Sequence, residues 1–82
     1  MAEQKLLKLT ISKVDGPVYD GEVVSVTVPG IAGDMTLLAQ HAPLISPLKA
    51  GPIVIQAEDE QKTIETTGGT LEVSQNHATI LI

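Results

Sequence analysis

Valine, isoleucine and threonine make up 24 of the 82 residues, and no apolar pattern of helical period runs for the length of a helix. A side chain branched at Cβ loses rotamer freedom against a preceding helical turn but packs readily on a pleated strand. The chain is therefore expected to be all-β. The clearest stretch begins at Leu7: Leu7, Leu9 and Ile11 alternate with Lys8, Thr10 and Ser12, the pattern of a strand buried on one face. Residues 22–28 read as a second strand, with Val24, Val26 and Val28 on one face.

Turn residues divide the rest. Asp15-Gly16-Pro17 and Asp20-Gly21 read as turns, and Pro29-Gly30 suits the central positions of a type II turn. Pro47 and Pro52 argue against a centrally paired strand nearby, since proline has no N–H for a ladder. Residues 53–57 are expected as a strand with Ile53 and Ile55 inward. Glu58-Asp59-Glu60 reads as a charged hairpin tip, and residues 62–67 as an edge strand with Ile64 in the core. After Gly68-Gly69, Leu71 and Val73 point inward. Gln75-Asn76 fits a two-residue hairpin, because asparagine tolerates positive φ. Residues 77–82 form the last strand. About eight to ten short strands at this spacing close most naturally as one domain over 1–82, a flattened antiparallel β-sandwich.

Composition narrows function. Ten acidic residues against five lysines and no arginine give a net charge of −5, which disfavours phosphate contact and hence nucleic acid. Tyr19 is the one aromatic residue, so stacking platforms for bases are missing. The polar start, Met1-Ala-Glu-Gln-Lys, lacks the apolar core of a signal peptide. No stretch approaches the ~20 apolar residues of a membrane-spanning helix. The absence of cysteine is compatible with a reducing compartment.

Chemistry is sparse. Ser12, Ser25, Ser46 and Ser74 lack a nucleophile-elbow motif. His41 and His77 are distant in sequence and neither has a second ligand at metal-site spacing. His41 reads as a loop residue bonded to backbone carbonyls, and His77 as a solvated edge residue. Gly30-Ile-Ala-Gly33 lacks the third glycine or the Lys-Ser/Thr of a phosphate loop, so it reads as a turn. The turn-rich apolar segment 29–51 stands apart. It is either a core covering or a protein-contact surface, and the alternative function these residues allow is a free-standing β-sandwich module that binds a protein or a small ligand.

The blocks Val24-x-Val26-Thr27-Val28-Pro29-Gly30-x-x-Gly33-Asp34-Met35, His41-Ala42-Pro43-Leu44, Leu48-x-x-Gly51, Gly68-Gly69-x-Leu71-Glu72-Val73 and Asn76-x-Ala78-Thr79-Ile80-Leu81 resemble the epsilon subunit of the rotary F-type ATP synthase. The resemblance runs from Leu6 to Ile82. It implies a flattened β-sandwich at the foot of the central stalk, bound to the gamma subunit and resting on the membrane c-ring. It also implies a non-catalytic role without cofactor, in coupling proton transport to ATP synthesis at the cytoplasmic face of the bacterial inner membrane. Gly33, Asp34 and Met35, with His41, Ala42 and Pro43, match the family's ring-facing end. Asp34 and His41 are then the expected polar contacts, unless His41 and Pro43 only fix the loop shape. Members commonly carry glycine at Thr36, proline at Ala39 and an aromatic residue at Thr70. They also continue into a C-terminal helical hairpin that inhibits ATP hydrolysis. These 82 residues hold no counterpart of it, so no such inhibition is expected of them.

Overall fold

The computed structural model describes residues 5–82 and consists of nine strands: β1 (Leu7–Lys13), β2 (Gly16–Val23), β3 (Ser25–Gly30), β4 (Gly33–Leu38), β5 (Leu44–Leu48), β6 (Gly51–Gln56), β7 (Gln61–Thr66), β8 (Gly69–Ser74) and β9 (His77–Leu81). The strands form one ladder in the order β2-β1-β9-β8-β5-β3-β6-β7, with β4 on the free side of β3. The link between β5 and β3 is a single bridge, Gly30 to Leu48. There the ladder bends into two layers, β2-β1-β9-β8-β5 and β4-β3-β6-β7. Buried side chains from both layers form one cluster. Leu7, Leu9, Ile11, Leu71, Val73 and Ile80 come from the first, and Val26, Val28, Leu37, Ile53 and Ile55 from the second. This is the expected β-sandwich. One pairing departs from antiparallel: β1 lies parallel to β9, Leu9 beside Ala78 and Ile11 beside Ile80.

The two far ends of the ladder also meet. Lys62 of β7 places its Nζ 5.8 Å from the ring centre of Tyr19 on β2. Tyr19 is half-buried against the core. The contact closes one side of the sandwich by cation–π attraction, a modest force at an exposed site. Lys62→Ala is expected to cost less than ~1 kcal/mol in a urea titration.

Several local expectations are corrected. Asp20-Gly21 is no turn, because β2 runs through it to Val23. The expected strand 22–28 is broken at Val24, a half-buried bend. Val23 and Val26 are both fully buried, so the inward phase slips by one residue as the chain passes between layers. The Val24 N–H donates to the Gln56 carbonyl at 2.7 Å and ties the new strand to β6.

Pro29-Gly30 lies inside β3, and the reversal falls at Ile31-Ala32. Gly30 is needed for close approach: a Cβ there would meet the Gly33 oxygen at 2.6 Å. Both prolines thought to bar pairing stand in paired strands. Pro52 pairs with Glu65 at the start of β6, while β3 joins β6 only from Val54 onward. Pro47 pairs with Thr70 in β5. Pro52 has no β3 residue beside it, and Pro47 meets that side through its carbonyl alone, which accepts from the Ile31 N–H at 3.3 Å, so neither place calls for a proline N–H.

The acidic tip at 58–60 is an exposed hairpin end, and β7 is the edge strand expected. Gln75 and Asn76 take φ of 51° and 60°, as a type I′ hairpin requires.

Candidate functional site

β4 is an edge strand whose only strand partner among the described residues is β3. Its alternation turns Leu37 fully inward and leaves Asp34, Thr36 and Leu38 exposed in a row. Asp34 is paired with Pro29, next to the β3–β4 reversal. Thr36 lies in regular strand, its hydroxyl 2.9 Å from that of Thr27. The residue at this position therefore shapes the outward face of the edge and stands in the strand, not in a loop.

The chain leaves β4 through a turn in which the His41 N–H donates to the Leu38 carbonyl at 3.2 Å. Gln40, third residue of that turn, has φ of 63°. His41, Ala42 and Pro43 follow, all exposed. The Nδ1 of His41 lies 2.7 Å from the Ala42 carbonyl oxygen. A carbonyl can only accept, so Nδ1 carries the proton. Nε2 is then the ring atom that offers a lone pair or, in the imidazolium, a second donor. The expected bond from His41 to a backbone carbonyl is present.

The six expected contact residues thus form two groups, one in the first half of β4 and one past its far end. Gly33, Asp34 and Met35 open the strand; His41, Ala42 and Pro43 follow its far end. At ~3.4 Å per residue the rest of the strand, Met35 to Leu38, holds them about 10 Å apart before the turn. The structure does not gather them into one loop. What joins them is the exposed row Asp34, Thr36 and Leu38. Met35 is turned toward the core, so it supports this surface from beneath.

Pro43 also borders a shallow hollow of about 370 Å³, lined by Leu44, Ile45, Glu72, Val73 and Ser74 as well. Ile45 is 73% exposed there. No local pattern of residues signals this hollow, which depends on the register of β5 against β8.

His77 is not an edge residue. β9 lies between β1 and β8, and the half-buried His77 ring has its Nε2 2.9 Å from the Thr10 hydroxyl. That hydroxyl donates in turn to Asp20 at 3.3 Å, and Asp20 pairs loosely with Lys8 at 3.6 Å. With its one proton directed to Asp20, Thr10 must accept from His77, so Nε2 is the protonated nitrogen. Among the described residues no group of three His, Cys, Asp or Glu could hold a metal.

Comparison with known proteins bears on the whole chain. The model of the ATP synthase delta/epsilon chain beta-sandwich domain matches residues 6–82. The chain belongs to this family. The ATP synthase epsilon chain of Bacillus subtilis is 36% identical over 77 residues, covering 94% of this chain and 58% of that protein. The epsilon chain of Latilactobacillus sakei is 40% identical over 82 residues, covering 96% and 57%. The chain therefore spans a little over half the length of these relatives. A chain in the cryo-EM structure of the Euglena gracilis mitochondrial ATP synthase (OSCP/F1/c-ring) superposes with a TM-score of 0.87 at 22% identity, over 93% of this chain and 49% of that one. One in the central stalk/c-ring structure from Tetrahymena thermophila gives 0.77 at 16%, over 98% and 65%. At those identities the likeness is one of fold. The beta-sandwich domain of the delta/epsilon family is thus the architecture built here.

Proposed function

We propose that this epsilon-type domain is a non-catalytic part of the central stalk of an F-type ATP synthase. On this reading it links the gamma subunit to the membrane c-ring and couples proton transport to ATP synthesis, as a peripheral subunit at the cytoplasmic face. The observation that carries the reading is the family match across residues 6–82. The outward edge of β4 supports it. Asp34 and His41 are exposed, contribute nothing to the core, and flank an edge open along one side. Exposed carboxylate, imidazole and backbone groups suit the polar loops of a ring that turns together with the stalk.

Adding this chain to complexes depleted of epsilon subunit is the direct test. Restored coupling of proton flow to synthesis, with co-purification of gamma, is the expected result. A chain that neither binds gamma nor restores coupling would sink the proposal.

The double variant Asp34→Ala with His41→Ala examines the ring-facing edge. Both side chains are exposed, so stability should change by less than ~0.5 kcal/mol for each. Two lost polar contacts, at about 1 kcal/mol each, should weaken association with the ring roughly thirtyfold. Full coupling at normal occupancy would remove these residues from the contact.

A further inference from the structure

Asn76 does more than turn the chain between β8 and β9. Its side-chain oxygen accepts from the Gln40 N–H at 2.7 Å. Its side-chain nitrogen donates to the Leu6 carbonyl at 2.9 Å. The backbone carbonyl of Asn76 also accepts from Lys8 N–H at 3.2 Å. Three segments distant in sequence therefore meet at one residue: the approach to β1, the β8–β9 turn and the turn after β4.

The assignment of the amide atoms is fixed by the partners. A carbonyl on one side and an N–H on the other admit only one orientation; the flipped amide would face donor to donor and acceptor to acceptor. Asn76 also holds φ of 60° and Gln40 φ of 63°, a backbone region that ordinary side chains avoid and asparagine tolerates. Gln40 directly precedes His41. The turn that aims the His-Ala-Pro segment thus has its N–H fixed from across the sandwich.

We propose that Asn76 is a positioning residue for the 39–43 loop, holding that loop in the conformation that presents His41 to its partner. The clamp rests on hydrogen bonds within this domain; its use in partner contact rests on the ring-facing reading above. Two variants separate the side-chain bonds from the backbone requirement. Asn76→Gly keeps access to positive φ and removes both side-chain bonds. Asn76→Asp keeps the acceptor for Gln40 and loses the donor to Leu6.

The first measurement is amide hydrogen exchange on the isolated chain. In Asn76→Gly the Gln40 and His41 amides should exchange roughly tenfold faster, about what the net loss of one hydrogen bond produces. The core amides of β1, β8 and β9 should keep their protection. In Asn76→Asp the Gln40 amide should stay protected. Unchanged exchange at Gln40 in Asn76→Gly would overturn the clamp. So would loss of protection spread evenly over the core, which marks a merely structural residue.

The second measurement is association of the same variants with isolated c-ring. Asn76→Gly should bind several-fold more weakly than the parent, and Asn76→Asp close to it. Equal binding, with exchange at Gln40 raised, would overturn the positioning role. A parent chain that binds no ring would overturn the ring-facing reading and leave the exchange result standing on its own.

Discussion

Gly69→Ala is expected to bring the chain close to unfolding. Gly69 opens β8 at φ of +150°, and a Cβ there would overlap the Leu81 carbonyl oxygen and stand 3.0 Å from Ile82 Cγ2. The obstacle is backbone, so no rotamer change relieves it. β8 and β9 would have to separate where Thr70 faces Leu81, and β9 also carries the parallel pairing to β1. Backbone strain of ~1–3 kcal/mol adds to an overpacking cost of similar size. A domain of this length has roughly 4–12 kcal/mol in total. Gly16→Ala is the control. Gly16 has a similar φ of +145°, and a methyl group added there would meet nothing within 4 Å, so it carries the strain without the clash. Thermal unfolding should show a smaller shift for Gly16→Ala, set by the strain alone, and a loss of most of the transition for Gly69→Ala. Equal shifts would mean that the close approach of β9 contributes nothing.

How far such features were legible depended on whether the sequence marked them. The strand β1 was plain because lysine, threonine and serine alternate with Leu7, Leu9 and Ile11. The Val23-Val24-Ser25 passage hid its phase slip, because consecutive valines look inward in either phase. Pro29-Gly30 has turn chemistry, but Gly30 is glycine for close approach. A single sequence does not separate that need from a need for positive φ. His77 read as an edge residue because nothing local reveals that β9 runs between β1 and β8. The pairing joins residues almost a full chain length apart.

The site was legible residue by residue and not as an arrangement. The His-Ala-Pro block and Gly33-Asp34-Met35 stand out through resemblance, but they lie at the two ends of β4. Only the strand register reveals that Asp34, Thr36 and Leu38 connect them. Asn76 was visible as a turn residue. Its two side-chain bonds reach Leu6 and Gln40, which no local pattern ties to position 76.

Leu71→Ala should cost about 2–5 kcal/mol, and Ile45→Ala almost nothing, although the two residues lie on adjacent, paired strands. Register pairs Ser46 with Leu71 and Ile45 with Glu72. A one-residue slip would exchange the inward and outward sets of the strand that moved. In the observed register Leu71 is fully buried and Ile45 is 73% exposed. The core contains no tryptophan or phenylalanine, and no disulfide backs it up. A cavity at Leu71 must be closed by movement of stiff β-branched neighbours, which favours the upper part of the usual range for leucine truncation. Truncating Ile45 removes surface that water already reaches, so the change should stay within ~0.5 kcal/mol. Urea titrations of both variants decide the matter. Comparable losses would show that the β5–β8 register is wrong, and with it the outward face on which Pro43, Ile45 and Glu72 meet.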